Sequence, residues 1–223
     1  MRQLDELEGV RRLRSGVLLL ILVPLLLFIF AVAAAATMFV VVTPLYHVYH
    51  VTVVTSGHIF TQAGGYLGSS LAAVGIAILV AALALVSLVL IVMAFGRLRG
   101  GFSLLSAAGR GSSIGVTGTW LVIIAIIIAL LGVALLMFGG FIATWIAFVL
   151  AAVGFILIGV GLFEVGSSYR NSLLEAGGIL VAIPLLITSF IGLILSYVAL
   201  GDIERELQAK ASQAGAQQAT TTS

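Results

Sequence analysis

The chain has 223 residues, of which 62% are hydrophobic and only 8% are charged, and its formal net charge is +2. Soluble domains carry roughly a quarter of charged residues, so this composition excludes a water-soluble fold and indicates an integral membrane protein. The chain contains no cysteine, which excludes disulfide frameworks, thiolate metal sites and cysteine nucleophiles.

The first fifteen residues combine a repeating apolar pattern with a cluster of arginines. Leu4, Leu7, Val10 and Leu13 recur every three residues, which predicts a short amphipathic helix at the membrane surface. The basic residues between and after them are Arg11, Arg12 and Arg14. We expect these arginines to direct topology and contact lipid headgroups, with a phosphate-binding site as the alternative.

Long apolar runs separated by short polar breaks make up most of the chain. Five of them are long enough to be transmembrane helices, at residues 16–42, 66–95, 116–138, 141–163 and 176–200. The fold class is therefore all-α, a polytopic helical membrane bundle with short interfacial helices. The chain begins with an amphipathic segment, residues 1–15, which is followed by the transmembrane domain, residues 16–200. A polar tail, residues 201–223, comes last and is expected to be disordered beyond residue 210.

Small residues recur four positions apart on two of the predicted spans. Such stripes let helices approach closely in lipid, and they comprise Ser69, Ala73, Ala77 and Ala81 in the second span and Ala143, Ala147 and Ala151 in the fourth. Gly154, Gly159 and Gly161 add positions for close approach in the fourth span. Pro24 and Pro184 lie inside the first and fifth spans, where a proline removes one backbone donor.

The segment 43–65 contains all three histidines of the chain and no Lys, Arg, Asp or Glu. Alternating β-branched residues predict an extended or hairpin-like segment, with helical continuation of the first span as the alternative. The histidines are His47, His50 and His58. They are weak candidates for a metal site, because neither carboxylates nor thiolates accompany them, and an interfacial aromatic belt is the simpler interpretation. No metal or other cofactor is expected.

Two further polar segments carry the remaining arginines within the transmembrane domain. Residues 96–115 contain Arg97, Arg99 and Arg110 around a small apolar cluster, which predicts a half-buried surface helix interrupted by glycines. The glycines do not form a nucleotide-binding loop, because the required Gly-Lys-Ser/Thr ending is missing. Residues 164–175 contain Arg170 and are expected to form a turn in which Asn171 or Ser172 caps the fifth span.

The distribution of basic residues predicts the orientation in the membrane. With five spans, the N-terminus, segment 96–115 and segment 164–175 lie on one side and contain eight of the ten basic residues. Basic residues favour the cytoplasmic side. The expected localisation is therefore the cell membrane, with the N-terminus in the cytoplasm and the C-terminus outside.

None of the predicted spans contains an ionisable residue at mid-depth. Such residues usually mark proton relays, ion paths or catalysis in membranes, and a nucleophile without a base is not a hydrolase site. We therefore expect a non-enzymatic scaffold or interaction protein that contacts membrane lipids and a second copy or another membrane protein, but no nucleic acid. The alternative is a channel or carrier for a small neutral or lipidic solute, suggested by Gly and Pro interruptions. A third possibility, an enzyme acting on lipid headgroups, depends on the arginines together with Glu164 and Glu175.

An ordered series of short motifs resembles a family of archaeal membrane proteins, the domain of unknown function 973. The motifs are residues 9–16 (GVRRLRSG), 99–105 (RGGFSLL), 115–118 (GVTG), 168–172 (SYRNS) and 177–180 (GGIL). The resemblance covers residues 9–205 and implies a multi-span helical protein of a thermophilic archaeal cell membrane. It implies no activity and no catalytic residue, and the histidine-bearing segment and the tail lie outside its motifs.

Overall fold

The structure is a computed structural model that describes residues 2–52, 64–111, 113–134 and 140–221. The described residues form six α-helices: α1 (Arg2–Thr52), α2 (Gly64–Ala107), α3 (Ile114–Ala134), α4 (Gly140–Tyr169), α5 (Ser172–Ala182) and α6 (Leu186–Thr221). The prediction of an all-helical membrane bundle is confirmed. Four described stretches are long and apolar enough to cross a membrane, namely Ala81–Ala107, Ile114–Ala134, Gly140–Tyr169 and Ile187–Gln213.

The chain divides into two compact units. One comprises Met1–Ile21 and Leu90–Ser223, and the other comprises Leu22–Val89. Every Asp, Glu, Lys and Arg of the sequence falls in the first of these, which we call the charged unit, and the second is called the uncharged unit. Large apolar side chains such as Phe28, Ile29, Ile78 and Leu85 are exposed on the uncharged unit, as expected for helices surrounded by lipid.

Several helices extend across the limits that the sequence predicts. Segment 1–15 continues into the first span as one helix, and α1 also continues to Thr52, which supports the helical alternative for the start of segment 43–65; residues 53–63 of that segment lie outside the described residues. Helix α2 continues through Gly96, Gly100 and Gly101 to Ala107, so the predicted glycine-interrupted surface helix is wrong. The predicted disordered tail is helical to Thr221.

Helices α1 and α2 contact each other closely inside the charged unit, and Gly101 of α2 lies at this contact. A Cβ atom at Gly101 would lie 2.7 Å from Leu13 Cγ, and one at Gly16 would lie 2.9 Å from Leu98 Cγ. Leu13, Leu98 and Leu105 are fully buried in the resulting core. The buried face of α1 therefore includes Val10 and Leu13 but not Leu4, which is 68% exposed.

Glycines also make the contacts of α3 with α4 and of α4 with α5. A Cβ atom at Gly118 would lie 2.8 Å from the carbonyl oxygen of Gly154, and one at Gly161 would lie 2.7 Å from Gly115 Cα. A Cβ atom at Gly159 would lie 2.5 Å from the backbone nitrogen of Ala182. The close-approach positions predicted in the fourth span thus lie at helix–helix contacts.

The connection from α4 to α5 is a tight turn with a defined C-cap and N-cap. Arg170 has φ 54°, and the amides of Arg170 and Asn171 donate to the carbonyls of Ser167 and Gly166 at 3.1 and 2.9 Å. This is the Schellman pattern, in which the left-handed position is usually glycine. The predicted cap is confirmed, because Leu174 N donates to Asn171 Oδ1 at 3.0 Å.

The predicted fifth span, 176–200, is not one helix. It is divided between α5 and α6 by the non-helical residues Ile183, Pro184 and Leu185. Helix α6 then returns alongside α5, since a Cβ atom at Gly192 would lie 2.7 Å from Val181 N and one at Gly177 would lie 2.6 Å from Ser196 Oγ. Because proline has no N–H and disfavours helical geometry in the residue before it, the break occurs at Pro184.

Candidate functional site at the charged end

Two clusters of charged and aromatic side chains join distant parts of the charged unit. In the first, the Glu6 cluster, Arg110 Nε donates to Glu6 Oε1 and Tyr169 OH donates to Glu6 Oε2, each at 3.3 Å. The Arg110 guanidinium also lies 5.3 Å from the centre of the Tyr169 ring, and Ser168 Oγ donates to the Arg110 carbonyl at 2.8 Å. The cluster connects the start of α1, the segment between α2 and α3, and the end of α4.

The second cluster, the Glu204 cluster, connects α1 with α6. Arg14 Nη1 donates to Glu204 Oε2 at 2.9 Å, while Arg11 Nε lies 3.6 Å from Glu204 Oε1. Arg14 also covers the Tyr197 ring at 4.8 Å. Gly201 makes this possible, because a Cβ atom there would lie 3.2 Å from the Arg14 guanidinium carbon.

The Glu204 carboxylate stabilises the charged form of Arg14. The hydrogen bond to Glu204 raises the pKa of Arg14, and burial opposes that shift with a smaller effect. The Glu204 side chain is only 10% exposed and the Arg14 side chain 32%, so the pair is shielded from water and from salt screening more than a surface pair would be. It therefore acts as a permanent connection between α1 and α6.

The other arginines predicted as contact residues have separate surroundings. Arg12 forms an exposed pair with Glu8 on the same helix at 2.8 Å. Arg99 lies over the Trp120 ring at 4.3 Å from its centre, a cation–π arrangement that joins α2 to α3. Arg97 and Arg170 are exposed, and contact of the predicted arginines with lipid headgroups stays a prediction.

Sequence reasoning missed the acidic residues at the centres of both clusters. Glu6 lies four, seven and eleven residues before Val10, Leu13 and Val17, so it falls on the buried face of α1 at helical spacing. Glu204 likewise follows Leu200 by four residues on the buried face of α6. An acid on an apolar face at helical spacing was the signal that could have identified both.

The side chains of the three histidines predicted as metal-site candidates lie outside the described residues. His47 and His50 lie on the backbone of α1, but their side chains are outside the described set, and His58 is outside the described residues altogether. The weak metal prediction for these histidines therefore stays a prediction.

The family match extends over nearly the whole chain. Residues 6–223 match the family described as a protein of unknown function, DUF973. The chain belongs to this family. The match includes the histidine-bearing segment and the tail, which the recognised motifs left out, while the archaeal origin stays a prediction. No curated protein and no solved structure matched the chain, so no activity is transferred to this DUF973 protein from a relative.

The chemistry available at the charged end is that of structural pairing. Both buried carboxylates accept hydrogen bonds from cationic or phenolic donors, and Glu204 Oε1 also accepts from Gln208 Nε2 at 3.4 Å. The oxygens of both carboxylates are therefore hydrogen-bonded to partners within the chain. The arrangement connects α1 to α4 and α6 and leaves Arg97 and Arg170 directed outward.

Proposed function

We propose that this DUF973 protein is a non-enzymatic scaffold or interaction protein of the cell membrane. The observation that carries the proposal is the use of its polar residues: the buried acids Glu6 and Glu204 pair with side chains of other helices and segments. Glu6 and Glu204 each connect parts of the chain more than 100 residues apart. A residue that serves as a fixed ion-pair partner supports architecture more than proton transfer.

The glycine contacts also favour a scaffold over a carrier. The carrier alternative depended on glycines that expose backbone groups to a solute. A Cβ atom added at Gly159, Gly161 or Gly192 would instead lie 2.5–2.7 Å from the backbone of a neighbouring helix. Close contacts of this kind stabilise helix pairs in lipid and support a closely packed body.

We also propose a revised orientation, in which the beginning of α1 and the second half of α6 both lie on the cytoplasmic side. The support is the Arg14–Glu204 contact at 2.9 Å, which brings the beginning of α1 and the second half of α6 to one end of the charged unit. A C-terminus outside, as the count of five spans predicts, would separate these residues by a membrane. With α6 returning alongside α5, all ten basic residues lie on one side, in agreement with the positive-inside rule.

The proposed partners are membrane lipids and a second copy of the chain. Ala81 is exposed on the uncharged unit, at the end of the predicted stripe of small residues that includes Ala77. Native mass spectrometry of the gently purified protein should show an integer multiple of 23.1 kDa or a defined protein partner. The double substitution of Ala77 and Ala81 by Ile should weaken this association, because bulky side chains prevent close helix approach.

A matched control is available on the same helix. Ala82 is also exposed but lies about 100° around the helix from Ala81, so Ala82→Ile should leave the association intact. If the double variant assembles as the wild type does, the stripe is not an association surface. A monomer that carries a reproducible small molecule or lipid would instead favour the carrier or the headgroup enzyme.

A further inference from the structure

We infer that α5 and the first half of α6 form a re-entrant hairpin that enters a single leaflet and whose tip contacts lipid acyl chains. The tip comprises Ile183, Pro184 and Leu185. The inference rests on the proposed common side of Arg14 and Glu204. The inference goes beyond that proposal by describing how deeply the hairpin enters the membrane and which molecules surround its tip.

The direction of the helices requires a hairpin. Helix α5 is antiparallel to α4, because Gly166 faces Glu175 near the charged end while Gly159 faces Ala182. Helix α6 is antiparallel to α5, because Gly177 faces Ser196 and Gly192 faces Val181. The chain therefore leaves the charged end at Asn171, turns at Pro184 and returns to the charged end at Glu204.

The length of the hairpin is half of what a crossing requires. The 11 residues of α5 span about 16 Å, against a hydrocarbon core of about 30 Å. On α4, Gly159 lies about 8 Å from Glu164 and about 21 Å from Trp145 along the helix axis. Phe141, Trp145 and Phe148 form an exposed edge-to-face stack of the kind that marks a membrane interface. The tip thus lies about one third of the way across the bilayer, within the leaflet of the charged end.

Two carbonyl groups of the tip accept hydrogen bonds inside the hairpin. The Ile183 carbonyl accepts from Leu185 N at 2.7 Å and from Ser189 Oγ at 2.8 Å. The Leu185 carbonyl accepts from Thr188 Oγ1 and from Ser189 N, each at 2.9 Å. Irregular backbone inside a membrane persists only where such groups find partners, and here two hydroxyl side chains of α6 supply them.

The outer surface of the tip identifies its surroundings. Leu185 and Ile187 are 61% and 73% exposed, and Ile183 is 39% exposed. Hydroxyls that are hydrogen-bonded to backbone carbonyls, beside exposed aliphatic side chains, fit a hydrocarbon environment. A phospholipid leaflet supplies this environment at the depth that the helix lengths give.

The hairpin also determines where the C-terminal half of α6 lies. After Leu200 the helix carries Asp202, Glu204, Arg205 and Glu206, so the apolar part of α6 ends where the hairpin returns to the charged end. The helical stretch from Asp202 to Thr221 is then held at the cytoplasmic surface, next to the start of α1.

Site-directed labelling tests both the side and the depth, and the absence of cysteine from the chain makes single-cysteine variants unambiguous. Leu4→Cys and Gln208→Cys, both at exposed positions, would be treated with a membrane-impermeant maleimide in intact and in lysed spheroplasts. Both should react only after lysis. Reaction of Gln208→Cys but not of Leu4→Cys in intact spheroplasts would overturn the proposed orientation and the hairpin together, whereas reaction of both would overturn the cytoplasmic orientation alone.

The depth is measured with a nitroxide at Leu185→Cys, compared with Ile142→Cys at the far end of α4. In vesicles of phosphatidylcholine and phosphatidylglycerol, the ratio of oxygen to nickel-chelate collision rates should be several-fold higher at position 185. Ile187→Cys, the most exposed position beside the tip, provides a second variant if the first does not fold.

Two outcomes of the depth measurement would overturn the inference while leaving the orientation intact. High nickel-chelate collision rates at position 185 would place the tip in water. Low collision rates with both reagents would show that protein covers the tip, as in an interface with a second copy.

Discussion

The Arg14–Glu204 pair should be strongly coupled, and a double-mutant cycle measures this directly. The variants are Arg14→Ala, Glu204→Ala and the double substitution. A fully buried ion pair that loses one partner costs about 3–5 kcal/mol, whereas exposed pairs contribute about 0–1 kcal/mol. With side chains 32% and 10% exposed, this pair lies between these limits, and we expect a coupling energy of about 1–2 kcal/mol.

The exposed pair Arg12–Glu8 is the matched control. It has the same residue types and a similar contact distance of 2.8 Å, but its side chains are 51% and 47% exposed. Neighbouring charges of this kind on one helix contribute about 0.2–0.5 kcal/mol. The control cycle should therefore give a coupling energy clearly below that of Arg14 and Glu204.

The assay is equilibrium unfolding in mixed micelles, with increasing anionic detergent and helix content followed by circular dichroism. Because Glu204 also lies 3.6 Å from Arg11, the Glu204→Ala variant should lose more stability than Arg14→Ala. Equal coupling energies for the two pairs would refute the reasoning, since they would show that burial at the charged end does not strengthen the pair.

Backbone positions give two further predictions, which the same unfolding assay checks. Gly159→Ala should destabilise the protein by about 1–3 kcal/mol, because the added Cβ would overlap Ala182. Gly96→Ala is the control: a Cβ there has nothing within 4 Å, so the substitution should stabilise the protein by about 0.5–1 kcal/mol. Equal effects of the two substitutions would contradict the close α4–α5 contact. Gly109 has φ 77°, so Gly109→Ala should lower the free energy of unfolding by about 1 kcal/mol. Arg170→Gly should be neutral or stabilising, because the left-handed position of Arg170 favours glycine. Destabilisation by Arg170→Gly would indicate that the Arg170 side chain makes a necessary contact.

The sequence contains enough information to predict the helices but not all of their limits. Long apolar runs predict membrane helices because no other local structure satisfies its backbone in lipid. The limits failed where local rules conflict with contacts between helices. Gly100 and Gly101 suggest a break by propensity, yet Gly101 lies against Leu13, and that contact makes a small residue useful inside α2.

The most consequential error was to predict residues 176–200 as a single span. Pro184 was visible in the sequence, but membrane helices tolerate proline, so its presence alone does not predict a break. The return of α6 depends on Gly177 against Ser196 and on Gly192 against Val181, which are contacts between residues that no local pattern pairs. Counting the run as one crossing places the C-terminus outside, whereas the orientation that we propose places it in the cytoplasm.

The candidate site was predictable in its residue types but not in its pairs. Arg11, Arg14 and Arg110 were identified from their clustering, and all three contact a buried acid. Their partners lie 190 or 104 residues away for Arg14 and Arg110, beyond the range of any spacing rule. Only the position of Glu6 and Glu204 on apolar helix faces indicated that those acids would be buried.

Glycine contacts and ion pairs solve different problems of assembly in the charged unit. Hydrophobicity does not select a partner helix in lipid, because acyl chains are as apolar as leucine. Glycines such as Gly159 and Gly178 determine how near two helices come and in which register, but several helices here offer similar glycine surfaces. A buried acid has far fewer suitable partners, since leaving it unpaired is costly. Glu204 pairs with Arg11 and Arg14 of α1, and we infer that this pairing favours α1 as the neighbour of α6 at the charged end.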